Sequence, residues 1–223
     1  ASIIQDKNHS TGVAGIMVNE KTGDNAINII PGAAGTLTND DIEKNLNFIA
    51  NTDIFLTQLE TPYDVTKYAL KKAKENKLTT ILNPAPAYQI NDDDFKLIDF
   101  FTPNETEAEF YLNKKIETEK DIKIASEEFL KKGIKNIVIT LGEKGCYFAN
   151  DKENFFMNAF KLKEPVVDTT GAGDAFNGAL AVGLSKDLDI KEVLTFANKV
   201  GAISTTKQGA ADSMPSMEDL NNY

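Results

Sequence analysis

One histidine and one cysteine are all that the 223-residue sequence holds of the side chains most often recruited for chemistry near pH 7, and tryptophan is absent. The single cysteine, Cys146, leaves no internal disulfide and no zinc cluster. It fits a reducing, cytoplasmic setting. The single histidine, His9, lies in a polar run near the start of the chain. Any Ser-His-Asp or Cys-His site would depend on it, which sets hydrolase triads aside. Acid–base work falls to carboxylates and lysines. Basic residues are also in short supply, with 24 Lys and Arg against 34 Asp and Glu and a net charge of −10. Phosphate contacts need clustered basic groups, so neither nucleic acid nor an anionic membrane surface is expected as a partner. No apolar run approaches the length of a membrane span, and the first residues do not read as a signal peptide. Two phosphate-binding patterns are missing as well. Gly-x-x-x-x-Gly-Lys-Ser/Thr occurs nowhere, and Gly171-Ala172-Gly173 meets Phe176 where a dinucleotide fingerprint needs a third Gly.

What is present is ordinary globular composition, 41% hydrophobic and 26% charged, in a length that suits one sizeable domain with a small appendage. Apolar stretches at 11–18 and 25–30 flank the turn-prone Asn19-Glu20-Lys21-Thr22-Gly23-Asp24, a hairpin signal. Thr38 or Asn39 caps a helix expected to reach about Ala50. Short apolar runs then alternate with helical patterns. Strands are expected at 54–59, 78–82, 97–101 and 136–141, the first buried on both faces. Helices are expected from Thr61-Pro62 to about Asn76, from near Asn104, and over 119–132. The acidic run Asn91–Asp94 reads as a solvated helix start. A hairpin-like region covers 146–160, two long helices cover about 171–184 and 190–206, and the tail 207–216 is loop. Alternating strands and helices predict an α/β fold, a doubly wound, mostly parallel sheet, with ligands at the carboxyl ends of its strands.

The chain is organised around Val166-Val167-Asp168-Thr169-Thr170-Gly171-Ala172-Gly173-Asp174 and the Ala-rich run after it. Small residues before a helix leave backbone N–H groups facing outward, where the helix start adds partial positive charge. That arrangement binds anions, phosphate above all. An Asp at such a mouth repels phosphate unless it takes a proton from the attacking group. The plainer reading is a Gly-rich connection whose Asp caps a helix. Asn104 and Glu107 share one face of a helix start, and either cap it or hold a hydrated Mg²⁺. An inventory of glycines, carboxylates and Asn, without His or thiol, suits phosphoryl transfer.

The stretch from Asp168 to Gly178 resembles the C-terminal signature of the ribokinase (PfkB-type) carbohydrate kinase family. Further segments match in order: Ser10-Thr11-Gly12-Val13-Ala14, Gln58-Leu59-Glu60, Asn83-Pro84-Ala85-Pro86-Ala87, Pro103-Asn104-Glu105-Thr106-Glu107-Ala108-Glu109, Thr140-Leu141-Gly142-Glu143-Lys144-Gly145, and Gly201-Ala202 through Lys207-Gln208-Gly209-Ala210. The third and fourth of these point to the ribokinase branch. The resemblance implies a ribokinase-like three-layer fold, with residues 1–35 as part of a β lid and 36–223 as the nucleotide-binding core. It implies ATP-dependent phosphorylation of D-ribose at O5. Asp174 would be the base and a sugar contact, Gly171, Ala172 and Gly173 would stabilise the transferring group, and Glu60 would hold sugar hydroxyls. Asn104, Thr140, Leu141, Gly142, Glu143, Lys144, Gly145, Gly173, Asp174 and Asn198 would contact ATP. Glu107 would organise Mg²⁺, and Asp168, Thr170, Ser204, Lys207, Gly209 and Ser213 would form a K⁺ site. The family's lid hairpins often pair between subunits, so the resemblance leaves the oligomeric state open with a homodimer as one alternative.

Two family features are not found in these residues: an N-terminal strand bearing sugar-gripping Asn and Asp, and a Gly-Gly-Lys-Gly segment. The expectation is therefore weak or no sugar phosphorylation by the 223 residues alone. Two other functions stay open: a kinase for another sugar or nucleoside, and a catalytically inactive nucleotide-binding relative.

Overall fold

The computed structural model describes residues 3–19 and 25–223, which fall into two compact units. Of the described residues, 3–13, 30–141 and 147–156 make the first, and 14–19, 25–29, 142–146 and 157–223 the second.

A six-stranded sheet runs through the first unit in the order β3 (Ile54–Thr57), β4 (Thr79–Leu82), β5 (Phe100–Phe101), β6 (Asn136–Thr140), β7 (Cys146–Ala149) and β8 (Asn154–Met157), after β1 (Val13–Val18) and β2 (Asn25–Ile30) have paired as a separate ribbon. Cys146 and Met157 are counted in the second unit. The first four strands of the sheet are parallel, with Ile54 opposite Thr79, Ile81 opposite Phe100 and Phe101 opposite Ile137. Parallel pairing of sequential strands requires crossovers. Here they are α3 (Tyr63–Glu75), following the short α1 (Asn39–Lys44) and α2 (Leu46–Ile49), and then α4 (Glu105–Leu112) with α5 (Glu119–Lys131). Ile81, Leu82, Phe101, Ile137 and Ile139 are fully buried in the sheet, and Leu70, Ile122, Ala125 and Phe129 of the helices pack in the same core. Phe101 packs at a tilt of 59° against Phe129 with centroids 5.2 Å apart and meets Tyr111 edge-on at 5.5 Å. Each fully buried aromatic contributes about 2 kcal/mol from area alone.

Several expectations are corrected. The helix from Thr38 breaks at Asn45, whose backbone N–H turns back to Ile42 and Glu43, so two short helices replace one. Pro62 is the cap of α3 and not its first residue. β3 is the edge strand, so it is half-covered, with Leu56 39% exposed. β5 shrinks to two residues because Asp92–Leu97 form a 3₁₀ turn. Asp94 in that turn is buried, not solvated, and accepts bonds from Tyr63 Oη at 2.7 Å and Asn91 Nδ2 at 3.2 Å, with Lys67 Nζ 3.0 Å away. The turn region between β1 and β2 falls mainly on residues 20–24, outside the described residues.

Asp99 anchors the amino edge of the sheet. Its carboxylate accepts from Lys74 Nζ at 2.8 and 2.6 Å and from the Thr80 N–H at 3.0 Å, with Lys135 Nζ at 2.7 Å. Burial pushes its pKa up, but Lys135, Lys74 and Thr80 pull harder and leave it below the ordinary value. The unfolded chain therefore takes up this proton at a higher pH than the folded one. The stabilisation is complete above the ordinary carboxylate range and disappears as pH falls through the lowered value. Asp99→Asn should cost about 2 kcal/mol at neutral pH, less than a fully buried pair because Lys135 is largely exposed. Urea titrations should find that difference shrinking as pH falls below the ordinary carboxylate range.

The second unit is built on α6 (Ala172–Ser185) and α7 (Ile190–Ser204), followed by α8 (Met217–Asn222) in a tail expected to be loop through residue 216. α6 and α7 pack on each other, with Phe176, Ala179 and Leu180 of the first and Val193, Leu194 and Ala197 of the second buried. Small residues set their separation. A Cβ on Gly201 would come within 3.2 Å of the Ala172 carbonyl and 3.4 Å of the Phe176 Cβ, and one on Gly183 within 3.0 Å of Val193. No helix among the described residues is long and apolar enough to cross a membrane.

Candidate active site

The second unit carries the organising stretch. Gly171 is the N-cap of α6, in a left-handed conformation at φ 77° that favours glycine. It has no side chain to cap with, and no side-chain cap bond closes this end. α1, α4, α5, α7 and α8 each carry a complete capping box, while α2 and α3 start without a side-chain cap bond, as α6 does. Ala172 is half-buried, Gly173 and Asp174 are exposed, and a Cβ on Gly173 would meet nothing within 4 Å. An uncapped helix start with open space over its first turn suits an anion. Asp174 stands in that same turn.

Behind this end, Asp168 laces two segments together. Its Oδ1 accepts the Thr170 N–H and its Oδ2 the Gly209 N–H, both at 2.9 Å. The Thr170 side chain first, then the Gly209 and Thr170 N–H groups, hold the carboxyl below its ordinary pKa. The Val167 and Asp168 N–H groups donate to the Thr205 carbonyl at 2.8 and 3.1 Å. Ser204 Oγ donates to the Gly201 carbonyl and Ser213 Oγ to the Ala210 carbonyl. Residues 168–170 and 204–213 are therefore brought together. Lys207 instead turns to Asp219, 3.2 Å away. The Gly142–Lys144 turn precedes Gly145, with Gly142 at φ 56° and Gly145 at φ 101°. Glu143 and Lys144 are exposed. Asn198 on α7 donates to Cys146 Sγ at 3.5 Å. Burial pushes that thiol up to about 11 against the Asn198 bond, so it is neutral and inert at physiological pH.

In the first unit, Glu60 is exposed just beyond β3. Asn104 caps α4: its Oδ1 accepts the Glu107 N–H at 2.7 Å, and Glu107 Oε2 accepts the Asn104 N–H at 2.9 Å. The plain cap reading is therefore realised here, and among the described residues no hydrogen bond is made to Glu107 Oε1. Asn104 also bridges Thr140 at the end of β6. Leu141 puts its side chain in the core, leaving only its backbone for a ligand. His9 pairs with Asp6 at 2.7 Å and takes no part in these clusters. Sequence reasoning missed the role of Asn83, whose side chain joins three strand ends; no local pattern marks such a contact.

Burial pushes the Glu107 carboxyl up to about 7, against the pull of the Asn104 N–H. The folded chain thus keeps this proton to a higher pH than the unfolded one, and stability falls as pH rises from the ordinary carboxylate range through about 7. Gln can keep the cap without the charge. In metal-free buffer Glu107→Gln should melt about 3 °C above the parent at pH 8 and level with it near pH 4, read by differential scanning fluorimetry.

Comparison with known proteins gives one answer. The family model described as pfkB family carbohydrate kinase matches residues 1–217. The ribokinase of Staphylococcus aureus (strain COL) is 38% identical over 220 residues, which are 98% of this chain and 71% of that one. The deoxyribokinase of Salmonella typhi is 34% identical over 215 residues, 96% of this chain and 69% of that one. The structure of Arabidopsis thaliana ribokinase complexed with ribose and ATP is similar at a TM-score of 0.84 and 29% identity, over 96% of this chain and 69% of that one.

Proposed function

The chain belongs to the pfkB family of carbohydrate kinases, and from that premise we propose that it transfers the γ-phosphoryl group of ATP to the O5 hydroxyl of D-ribose. The observation that carries this reading is the uncapped start of α6, with Asp174 in its first turn and open space over Gly173. In the proposed step the Asp174 carboxylate takes the O5 proton. The O5–Pγ bond forms as the Pγ–O bond to the β-phosphate breaks, and ADP leaves with that electron pair. The N–H groups of Gly171 and Gly173 stabilise the charge spread over the transferring oxygens, while the Ala172 N–H, which donates to the Thr169 carbonyl at 3.2 Å, contributes through the dipole of the turn. The 223 residues contain no arginine, so this stabilisation rests on backbone dipoles and lysines. Glu60 holds sugar hydroxyls, and Asn104, the Thr140–Gly145 segment and Asn198 hold ATP.

The donor chemistry fits the two cations. Glu107 offers one carboxylate oxygen in a half-buried setting, the sparse oxygen ligation that suits Mg²⁺, which keeps most of its waters. Asp168, Thr170, Ser204, Lys207, Gly209 and Ser213 offer carbonyl and carboxylate oxygens to K⁺, though the Lys207 side chain is turned to Asp219. When bound, the cations supply neutralising charge to phosphate. The ribbon of β1 and β2 exposes Ile16, Met17, Ile27 and Ile29, an apolar surface that supports pairing with a second copy. The lone buried thiol is at home in a reducing cytoplasm.

The deoxyribokinase relative favours a second reading, with 2-deoxyribose as the acceptor. A coupled ADP-release assay across ribose, 2-deoxyribose, fructose and adenosine separates them. Ribose giving the highest kcat/KM is the expected result, and preference for any other acceptor would replace ribose in the proposal.

A further inference from the structure

Asn83 has a side chain that neither the transfer step nor the cation sites use, yet it is 7% exposed and doubly bonded. Its Oδ1 accepts from Gln58 Nε2 at 3.0 Å, and its Nδ2 donates to the Thr102 carbonyl at 3.1 Å. A carbonyl can only accept, so Thr102 fixes which end of the amide faces it. Gln58, Asn83 and Thr102 are the first residues after β3, β4 and β5. One planar amide thus crosses the carboxyl ends of three neighbouring parallel strands. Backbone bonds extend the tie: Asn83 N–H to Thr57 at 3.0 Å, Leu59 N–H to Ala85 at 3.0 Å, and Thr140 N–H to Pro103 at 2.9 Å. Glu60 lies two residues past Gln58, and Asn104 two residues past Thr102.

We propose that Asn83 is a positioning residue whose amide sets the separation between Glu60 and the Asn104 cap. The geometry stands by itself; what Glu60 and Asn104 hold, sugar and nucleotide, rests on the kinase reading. The residue type follows from the task. Asp keeps the acceptor for Gln58 but sets an oxygen against the Thr102 carbonyl. Leu strands both partners. Ser is too short to reach both, and Gln carries the amide one methylene too far. Displacements near 1 Å between binding groups are enough to cost about 100-fold in rate, so a tie between strand ends matters beyond its own bond energy.

The test uses ¹⁵N-labelled protein, its amide spectrum and an ATP titration. Asn83→Asp breaks only the tie to Thr102. It should move the Asn104 and Glu107 amide resonances and raise the ATP Kd about tenfold. Gln58→Ala breaks the tie to β3 and leaves the bond to Thr102. It should move the Glu60 amide and raise the ribose KM, with the Asn104 resonance and ATP affinity unchanged. A lowered Tm in Asn83→Asp, with Asn104, Glu107 and ATP affinity as in the parent, would reduce Asn83 to loop packing and overturn the proposal. Should Asn83→Asp not fold, an unmoved Glu60 amide in Gln58→Ala overturns it equally. Failure of the unsubstituted protein to bind ATP or ribose would remove the kinase reading instead, and the amide shifts would still decide the positioning role.

Discussion

Asp174→Asn should lower phosphoryl transfer to the sugar by about 10³-fold while ATP binds within about threefold of its original affinity. A general base is needed only as the hydroxyl attacks, so its loss falls on kcat and leaves nucleotide binding nearly unchanged. Asn is nearly isosteric and keeps a polar group in the first turn of α6, where the lost charge costs only about 0.5 kcal/mol against the helix dipole. Asp174 is exposed, so no core contact is disturbed. Stopped assays of ADP formation with ribose, beside calorimetric ATP titration, separate the two effects. A variant retaining more than about a tenth of the parent rate would remove Asp174 from the base role.

Gly145→Ala should be the most damaging small substitution for stability, by about 4 kcal/mol or more. Its φ of 101° is strained for any residue with a Cβ. A Cβ there would lie 2.0 Å from the Met157 carbonyl oxygen and 2.5 Å from the Ala159 nitrogen, both backbone atoms that cannot swing aside. Gly142, three residues earlier, makes the control. It also has positive φ, at 56°, but its Cβ would meet nothing within 4 Å. Gly142→Ala should therefore cost only about 1 kcal/mol, the left-handed penalty alone. Chemical denaturation of the two variants side by side checks the difference. Equal losses would mean that the segment from Met157 to Ala159 yields readily. In the sequence the two glycines look alike, as a pair in one nucleotide-contacting turn; the packing divides them.

That division shows where the sequence was legible. Elements governed by their own residues were readable: α5 and α7 from their helical patterns, and β4 and β6 from short apolar runs bounded by turn residues. The turn before α6 was readable too, since small residues before an apolar helix have a local physical meaning. Features set by distant partners were not. β3 looked doubly buried because nothing in its residues reveals an edge position. Asp94 looked solvated because Tyr63, which buries it, lies 31 residues away. The Asn83 tie spans 25 residues to Gln58 and 19 to Thr102, and the segment between reads only as a proline-rich loop. The Asn104 and Glu107 pair was legible as two alternatives, and the geometry supplies the cap without excluding an outward role for Glu107 Oε1.

The most direct measurement of the central claim is ³¹P NMR of the protein with ATP, Mg²⁺, K⁺ and D-ribose. Phosphoryl transfer through Asp174 to O5 predicts that the γ-phosphate signal of ATP decays into a sugar phosphomonoester coupled to the C5 protons, with ADP formed in equal amount and both absent in Asp174→Asn. Decay into inorganic phosphate alone, or a phosphomonoester that still forms in Asp174→Asn at the parent rate, would contradict it.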